Sequence, residues 1–478
     1  MAAPQHCKPH ALAVPLPFQG HIQPLLDLSL KLVSAGFMVT FANTCTNHQR
    51  MTENGTTTKA ASEAGPDLLR FVSLEEEFPI ERENPLATLT EMFKPPMRAT
   101  VARLLARLKE EEPPVSLLVF DFRLMYVLDL AIASGIPSVG LWTQNAAHFA
   151  CNTLYSQNLL QLPEDDSTLF TCARGVPPLK RTELTSLIIE NLPPPFPSEE
   201  YGRYPFRRVH ELTCIVINTF EELEPTTLDT LEEILGFRPL ALGPLVNAPT
   251  FTISKGIAIT GLDNHVEWLQ NHPKDSVLYI AFGTVADMSE TQLEELVIGL
   301  EASGQPFLWV FRANFCVYSK KYAFHSLSQR LKNQGLLVQW ASQRDVLAHP
   351  SIGGFLTHCG WNSTIEGITM GIPMLTWPLF ADQYLNRRLV IEQWGVGLGF
   401  QIDEGDSGLV RRLEVEQKVR IIMQGGEGKE MRQKAKILRS LALKAYQKGG
   451  SSHKHLDSLK EQIGARMQRS RQYFNNCE

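Results

Sequence analysis

Hydrophobic and polar residues follow a repeating pattern in which a short apolar run is succeeded by apolar residues at helical spacing. The chain opens with an apolar run at 11–17, continues with leucines at helical spacing over 23–35 and reaches a second apolar run at 37–42. Short continuous apolar runs are typical of buried strands, and apolar residues three or four positions apart are typical of an amphipathic helix. The pattern therefore predicts a strand–helix–strand opening of an α/β domain.

The same order recurs in the second half of the chain, where residues 276–312 again predict a strand, a turn, a helix and a strand. Before it, residues 211–224 predict a strand followed by a helix, and 237–245 predict a last short strand. Residues 160–204 are rich in proline and lack a clear period, so we expect a long loop region there. A chain of 478 residues is too long for one typical core, so two domains are expected. We place the domains at 1–245 and 263–458, with a linker at 246–262 and a C-terminal helix at 459–478.

Charge and composition argue against several classes of protein. The net charge of −6 and the absence of a basic stripe disfavour a nucleic-acid-binding protein, and no apolar run approaches the length that spans a membrane. The first residues lead directly into a strand and lack the pattern of a signal peptide. The eight cysteines show neither CxxC spacing nor a paired framework, which favours reduced thiols in a cytoplasmic protein. Because the sequence has no Asp-x-Asp motif and no clustered His and Cys ligands, we expect no bound metal.

The densest chemistry lies in residues 340–383, WASQRDVLAHPSIGGFLTHCGWNSTIEGITMGIPMLTWPLFADQ. A short apolar segment at 354–357 leads through a glycine-containing turn into a helical pattern. We predict the helix start near 360–362, because Asn and Ser are good residues for a helix N-terminus. A helix start offers unpaired N–H groups and about half a positive charge, so a diphosphate fits there without a lysine. His358, at the mouth of the turn, is placed to donate to the same phosphate oxygens.

Other side chains of this stretch suit the remaining parts of a nucleotide-sugar. Trp340 can stack on a flat base, and Gln343 can read the edge of that base with its amide. Glu366 lies one helical turn beyond Asn362 on the same face, where it can accept hydrogen bonds from vicinal ribose hydroxyls.

Asp382 and Gln383 follow another strand-like run, so we expect them in a loop at the carboxyl end of that strand, where ligands of open α/β sheets bind. Taken singly, the residues of 340–383 have simpler interpretations: a tryptophan in the core, a loop histidine and a solvated glutamate. Their ordered combination favours a nucleotide-sugar site.

The stretch closely resembles the signature box of plant secondary-product glycosyltransferases. This inverting family 1 uses UDP-sugars and has the GT-B fold, an α/β architecture in which two Rossmann-like βαβ domains face each other across a cleft. The resemblance rests on Trp340, Gln343, His349, Gly353, Phe355, the run His358-Cys359-Gly360-Trp361-Asn362-Ser363, Glu366, Gly371, Pro373, Pro378, Asp382 and Gln383. One departure is Ser342, where the family usually has proline, and we expect it to loosen the turn that carries Gln343.

The resemblance implies a role for each of these positions. The base and ribose of the donor are held by Trp340, Gln343 and Glu366; the diphosphate is held by His358, Asn362 and Ser363; the sugar is contacted by Trp361, Asp382 and Gln383. A final glutamine usually accompanies glucose in this family, whereas histidine accompanies galactose. Gly283 and Thr284 match the family's Phe-Gly-Ser turn near the phosphates. The complete predicted donor-binding set is Thr143, Gly283, Thr284, Trp340, Ala341, Gln343, His358, Gly360, Trp361, Asn362, Ser363, Glu366, Asp382 and Gln383.

A candidate catalytic base lies in the turn PFQGHIQP after the first predicted strand. This turn lacks GxGxxG, which disfavours a nicotinamide enzyme. It presents His21 at the carboxyl end of the strand, and an imidazole is well matched to removing a proton from a hydroxyl near neutral pH. Alone, a loop histidine is more often inert. The turn is similar to the family's QGH turn, whose histidine is the base.

A base of this type works better beside a carboxylate that orients it. Asp121 stands at the carboxyl end of the apolar run 115–120, where in isolation it reads as the cap of the next helix. The resemblance makes Asp121 the partner of His21. It also assigns Thr143, at the next strand end, to the donor sugar, and it implies that the last helix crosses back to the first domain.

The resemblance implies a single in-line displacement: UDP-glucose is the co-substrate, neither cofactor nor metal takes part, and the product is a β-glucoside. We expect a monomer. Residues 160–204 are expected to roof the acceptor pocket, whereas the family's Leu-Pro-Glu-Gly-Phe stretch is missing from 313–333. The candidate acceptor-binding residues, most of which suit ordinary packing equally well, are Phe18, Phe93, Phe122, His148, Phe196 and Phe380.

The expected acceptor is a flat hydrophobic molecule with a hydroxyl group, a flavonoid or other phenolic first, with terpenoids, hormones and carboxylic acids as alternatives. Two other functions remain open at this stage. One is an inactive relative that binds a UDP-sugar or a small molecule, although a binding protein has no need of the base His21. The other is a UDP-sugar epimerase or hydrolase.

Overall fold

The computed structural model describes residues 8–65, 67–75, 85–192, 194, 196–246, 264–283, 288–311, 324–402 and 408–475. The chain divides into two compact units, Met1–Val246 with Ala445–Glu478 and Asn247–Lys444. The second break, at Lys444, precedes the boundary predicted at 458. Apart from Val246, the predicted linker lies outside the described residues.

The first unit contains a parallel sheet in the order β3-β2-β1-β4-β5-β8-β9 and a short antiparallel pair, β6 with β7. The strands are β1 His10–Val14, β2 Met38–Thr44, β3 Leu69–Leu74, β4 Val115–Asp121, β5 Ser138–Trp142, β6 Leu169–Phe170, β7 Leu179–Lys180, β8 Cys214–Ile217 and β9 Leu240–Ala241. In register, Ala11 of β1 pairs with Val39 of β2 on one side and with Leu117 of β4 on the other. The chain runs outward from β1 in one direction and resumes at β4 in the other, so the topological switch point lies between β1 and β4.

The helices of the first unit that precede the break are α1 Gln19–Ser34, α2 Cys45–Glu53, α3 Thr56–Ala64, α4 Pro85–Met92, α5 Pro95–Lys109, α6 Met125–Ala133, α7 Ala146–Ser156, α8 Thr185–Glu190, α9 Ser198–Tyr201, α10 Tyr204–Arg207 and α11 Pro225–Leu235. The prediction of a long loop over 160–204 is wrong, since this stretch contains β6, β7, α8 and α9. These elements have two to six residues each, which is too short for a hydrophobic period to be recognisable.

Burial in the core of the first unit accounts for the apolar pattern at the start of the sequence. All five residues of β1 are buried, as expected for a central parallel strand. The leucines that gave α1 its helical spacing, Leu25, Leu28 and Leu32, are buried in the same cluster as Ala11 of β1. Helix α1 begins at Gln19 rather than at the predicted residue 23, because the carbonyl of Phe18 already accepts hydrogen bonds from two backbone N–H groups of the first turn.

The second unit contains a parallel sheet in the order β12-β11-β10-β13-β14-β15. Its strands are β10 Val277–Ala281, β11 Phe307–Val310, β12 Gly335–Val338, β13 Ile352–Thr357, β14 Met374–Thr376 and β15 Gly397–Gly399. Its helices are α12 Asn264–Gln270, α13 Glu290–Ser303, α14 Phe324–Leu331, α15 Gln343–Ala348, α16 Trp361–Met370, α17 Gln383–Arg388, α18 Arg412–Gln424 and α19 Gly426–Tyr446, the last of which extends past the break. The strand, helix and strand predicted within 276–312 are confirmed, whereas residues 284–287 of the predicted turn lie outside the described residues. Here the switch point lies between β10 and β13.

The last helix, α20 Ser451–Asn475, belongs to the first unit. It begins eight residues before the predicted start at 459. Leu459 and Ile463 are buried in the core of the first unit, and the backbone N–H of Ala241 on β9 donates to Nδ1 of His455 at 2.7 Å. Among the helices in the described ranges, none is both long enough and apolar enough to cross a membrane.

Candidate functional site

The switch point of the first sheet brings the predicted base and its carboxylate together. His21 lies in the first turn of α1, directly after β1, and Asp121 is the last residue of β4. Because β1 and β4 are parallel neighbours, their carboxyl ends meet at one edge of the sheet. The crevice at such a switch point is where open α/β sheets bind ligands.

The geometry of this pair suits a general base. Nδ1 of His21 lies 2.6 Å from Oδ2 of Asp121, and the side chains are 16% and 4% exposed respectively. The second carboxylate oxygen accepts from the backbone N–H of Arg123 at 3.1 Å, which fixes the carboxylate plane. With Nδ1–H donating to the carboxylate, Nε2 of His21 carries the lone pair that can take a proton. Thr143 joins the group, with Oγ1 3.4 Å from Nδ1 of His21.

One predicted acceptor residue lies in the core. Phe122 is fully buried, and its ring contacts the rings of Trp142, Phe149 and Phe206 at centroid distances of 5.2–5.7 Å. Phe122 lies in the turn that follows β4. The structure therefore favours the packing interpretation of Phe122.

His148 lies beside the same cluster, in the first turn of α7. Its ring centroid is 5.3 Å from that of Trp142. Burial and the nearby positive charge of Arg123 lower the pKa of His148 to about 3. An imidazole with this pKa is neutral near pH 7. In the described part of the chain, neither ring nitrogen has a hydrogen-bond partner.

The other candidate acceptor residues differ in exposure: Phe196 is buried, Phe18 and Phe93 are half-buried, and Phe380 is exposed. Phe18 makes an edge contact with the ring of His21 at 6.3 Å. Phe93 and Phe196 both contact the ring of Tyr201, at 5.9 and 5.5 Å, so Tyr201 joins two residues that the sequence could not connect. Phe380, in the second unit, is 44% exposed.

The switch point of the second sheet brings together Gly283, after β10, and His358, after β13. Gly283 has a φ of +78°, and a Cβ atom there would lie 2.6 Å from Nε2 of His358. A Cβ atom at Gly360 would lie 2.5 Å from the same nitrogen. Two glycines are therefore required for the imidazole to occupy its position. The neighbouring candidate Thr284 lies outside the described residues.

The helix start predicted near 360–362 is confirmed, since α16 begins at Trp361 with Gly360 as its N-cap. The sequence argument relied on Asn and Ser as capping residues, but the cap makes no side-chain hydrogen bond. Cys359 adopts a φ of +65° in the turn, and burial raises the pKa of its thiol well above the ordinary value. The helix N-terminus, with its partial positive charge, therefore follows directly on the His358 turn.

Glu366 is held from α15 by two consecutive side chains. Nε2 of Gln343 donates to Oε2 of Glu366 at 2.7 Å and to Oγ of Ser363 at 2.9 Å. Nε of Arg344 donates to Oε1 of Glu366 at 2.9 Å. We expected the amide of Gln343 to read the base. Its nitrogen is engaged with Ser363 and Glu366, so the carbonyl oxygen is the part suited to a base edge. Sequence reasoning missed Arg344, since nothing in the pattern links it to Glu366.

The two flanking tryptophans lie in contrasting environments. Trp340, after β12, is 55% exposed. Its ring is therefore accessible for stacking on a base and is not part of the core. Its neighbour Ala341 is buried. Trp361 is also buried, and its ring lies 6.1 Å from that of Trp394. The indole predicted to contact the sugar is therefore largely packed in the protein.

Asp382 and Gln383 follow β14 as predicted, but they end the loop and start a helix: Asp382 is the N-cap of α17 and Gln383 its first residue. Oε1 of Gln383 accepts from the backbone N–H groups of Leu379 and Phe380 at 2.7 and 3.1 Å. This side chain therefore closes the turn that presents Asp382.

Asn386, one helical turn beyond Asp382, connects this loop to the histidine turn. Its Nδ2 donates to Oδ2 of Asp382 at 2.7 Å and to the carbonyl oxygen of Cys359 at 2.8 Å. The spacing of four residues on one helix face is a signal by which sequence reasoning could have found Asn386.

Each unit thus assembles one half of the predicted residues. The first unit brings together His21, Asp121 and Thr143; the second brings together Gln343, Ser363 and Glu366, places His358 between two glycines and links Asp382 to the His358 turn through Asn386.

The chain is similar to known proteins in sequence and in fold. The model of the family described as UDP-glucoronosyl and UDP-glucosyl transferase matches residues 262–413. UDP-glycosyltransferase 85A1 of Arabidopsis thaliana is 32% identical over 480 residues, covering 95% of this chain and 96% of that protein. The (R)-mandelonitrile beta-glucosyltransferase of Prunus dulcis is 33% identical over 485 residues, covering 95% of this chain and 97% of that protein.

A solved structure of a plant glycosyltransferase has a similar fold. Phytolacca americana UGT2, complexed with UDP-2fluoro-glucose and pterostilbene, aligns with a TM-score of 0.77 at 26% identity and covers 95% of this chain and 100% of that chain. This likeness and the two parallel sheets confirm the predicted GT-B fold. The chain belongs to the family of plant UDP-glycosyltransferases.

Proposed function

We propose that this chain transfers glucose from UDP-glucose to a hydroxyl group of a small hydrophobic molecule, with inversion at the anomeric carbon, and that phenolics such as flavonoids are its acceptors. The observation that carries the proposal is the 2.6 Å contact between His21 and Asp121 at the switch point of the first sheet. A protein that only binds a UDP-sugar has no use for an oriented, partly exposed imidazole.

The first unit activates the acceptor in this proposal. Nε2 of His21 removes the hydroxyl proton as the acceptor oxygen attacks the anomeric carbon. The carboxylate of Asp121 holds the required tautomer and stabilises the imidazolium that forms. A positioned general base of this kind contributes roughly 10²- to 10⁴-fold to the rate. One displacement from α-linked UDP-glucose gives a β-glucoside, and the Prunus relative is named for beta-glucosyl transfer.

The second unit binds the donor and accepts the leaving group. As the bond between the anomeric carbon and UDP breaks, negative charge grows on the departing diphosphate. The N-terminus of α16 and the imidazole of His358 supply positive potential and donors for that charge. Trp340 stacks on uracil, and Glu366 accepts hydrogen bonds from the ribose hydroxyls. Asp382 and Gln383 contact the glucose. These protein groups suffice for departure of UDP, so we propose that no metal takes part.

The acceptor proposal rests on the aromatic residues of the first unit. Phe18 borders the base, and Phe93 and Phe196 converge on the ring of Tyr201. Flat aromatic acceptors stack favourably on such rings. The structural relative from Phytolacca americana holds pterostilbene, whereas the Prunus relative is named for (R)-mandelonitrile. Terpenoid alcohols are therefore tested beside phenolics, with hormones and carboxylic acids as the next acceptors to test.

The test is transfer from UDP-glucose to a mixed panel of phenolic and terpenoid alcohols, with and without a metal chelator, for the wild type and for His21→Ala. We expect β-glucosides from the wild type alone, at a rate that the chelator leaves unchanged, with UDP affinity retained in the variant. Loss of UDP binding in His21→Ala would give His21 a structural role. Donor binding without any product, from acceptors or from water, would support the inactive-binder alternative, and an α-linked product would refute inversion.

A further inference from the structure

We propose that Arg344 is a positioning residue for the donor ribose and that it acts through Glu366. This inference rests on the proposed function, since it requires that Glu366 accepts from the ribose hydroxyls. Arg344 lies outside the set of residues that resemblance to the family assigns to the donor. The structure, however, gives it a direct contact to the residue at the centre of that set.

The contact is a hydrogen-bonded ion pair in a largely buried place. Nε of Arg344 lies 2.9 Å from Oε1 of Glu366, and the two side chains are 24% and 9% exposed. Gln343 reaches the other oxygen, Oε2, at 2.7 Å. Arg344 and Gln343 are the first two residues of α15, so one short helix fixes both oxygens of a carboxylate that belongs to α16.

Counting acceptor sites shows what this arrangement leaves for a ligand. A carboxylate can accept about four hydrogen bonds, two at each oxygen. Arg344 occupies one site on Oε1 and Gln343 one site on Oε2, in opposite parts of the group. One further site at each oxygen suits two hydroxyls on adjacent carbons. The two protein donors therefore set the carboxylate plane in which a vicinal diol can be bound.

Arg344 also offsets the negative charge of Glu366. Glu366 lies on the same helix whose N-terminus is proposed to hold the diphosphate, four residues beyond Asn362. A largely buried carboxylate near a bound diphosphate is a like-charge contact that weakens binding. The guanidinium of Arg344 offsets the charge of Glu366 without occupying the phosphate position. Arg344 therefore allows a carboxylate, the strongest acceptor for hydroxyls, to serve in a site for an anion.

The experiment measures the affinities of UDP and of 2′,3′-dideoxy-UDP by calorimetry for the wild type, Arg344→Gln and the control Arg420→Gln. Arg420 lies in the same unit and pairs with Glu416 at 2.8 Å, so its replacement removes one positive charge away from Glu366. We expect the wild type to prefer UDP by about 100-fold, from two hydrogen bonds to a charged group. In Arg344→Gln the affinity for the dideoxy compound should fall only slightly, because the charge of Glu366 is no longer offset, whereas the preference for UDP should fall to about tenfold.

The outcomes separate this inference from the proposed function. A wild type that binds both nucleotides equally would refute the ribose role of Glu366. A preference that is present in the wild type and fully retained in Arg344→Gln would refute the role of Arg344 alone. Equal weakening of both nucleotides in Arg344→Gln would show a general charge effect or a damaged fold, and would also overturn the inference. If Arg344→Gln does not fold, Arg344→Lys, which keeps the charge and loses the guanidinium geometry, should reduce the preference; full retention there would count against the inference.

Discussion

His21 and Asp121, 100 residues apart in the chain, meet with Nδ1 of the imidazole 2.6 Å from the carboxylate. The contact exists because β1 and β4 are parallel neighbours on either side of the switch point. Replacing Asp121 by Asn retains the size of the side chain and one oxygen, which accepts from the backbone N–H of Arg123. The NH2 group then faces Nδ1 of His21 as a donor, so the tautomer with a proton on Nδ1 is no longer selected. We therefore expect Asp121→Asn to lower kcat by about 10³- to 10⁴-fold with little change in UDP affinity.

Steady-state kinetics and UDP calorimetry measure this effect. Asp129→Asn is the matched control, since Asp129 lies in the same unit and pairs with Arg98 and Arg208 at 3.3 and 2.7 Å. It should retain nearly the full rate. An Asp121→Asn enzyme within a few-fold of the wild type would show that the carboxylate does not orient the base.

Gln383 is expected to select the sugar, and the structure adds a reason. Its Oε1 accepts two backbone N–H groups of the turn before Asp382, which one imidazole nitrogen cannot replace. In Gln383→His we expect the ratio of kcat/KM for UDP-galactose over UDP-glucose to rise about tenfold. We also expect the free energy of unfolding to fall by about 1–2 kcal/mol, because backbone donors lose their acceptor.

Donor kinetics and denaturant unfolding test both parts of this prediction. Gln393→His, an exposed glutamine of the same unit, is the control and should change neither quantity. An unaltered donor ratio in Gln383→His would refute the selecting role, even if stability falls.

Ser342, the departure from the family pattern, already has the backbone conformation of proline. Its φ is −69°, and its side chain makes no capping hydrogen bond to α15. Proline fixes φ near this value and restricts the unfolded chain. We expect Ser342→Pro to raise the free energy of unfolding by about 0.4–1 kcal/mol while UDP affinity stays the same, because the bonds of Gln343 are preserved. Ser342→Ala, which lacks the ring, should be close to neutral in denaturant unfolding. A destabilised Ser342→Pro variant would show that the turn cannot hold the ring.

Much of the architecture was predictable because buried parallel strands are near-continuous apolar runs. The runs at 11–17 and 115–120 became β1 and β4, and their carboxyl ends carried His21 and Asp121. Three features were not predictable. The short elements of 160–204 show no hydrophobic period, and Phe122 is a core residue rather than an acceptor residue. The contact of Arg344 with Glu366 connects α15 and α16, two helices separated in the sequence by β13. Contacts of this kind depend on how α15 packs beside α16, which no local pattern encodes.

Glu221 gives the first unit a pH-dependent anchor for its last helix. Burial alone would raise the pKa of Glu221, but hydrogen bonds from His455 and Arg238 outweigh burial and lower this pKa to about 2. Nε2 of His455, on α20, lies 3.0 Å from Oε1 of Glu221. Because the pKa in the folded protein is below the unfolded value of 4.5, the contribution to stability is fully present above pH 4.5. It is lost as the pH falls from 4.5 towards 2.

We therefore expect Glu221→Gln to lower the free energy of unfolding by about 1–3 kcal/mol at pH 7, and we expect the difference from the wild type to shrink below pH 4.5. Denaturant unfolding at several pH values between 7 and 3 measures both. Glu232→Gln is the control: Glu232 also pairs with Arg238, at 2.8 Å, but its side chain is 52% exposed. Its replacement should cost at most about 0.5 kcal/mol at any of these pH values. A difference between wild type and Glu221→Gln that stays constant from pH 7 to pH 3 would mean that the ionised carboxylate is not what stabilises the contact with α20.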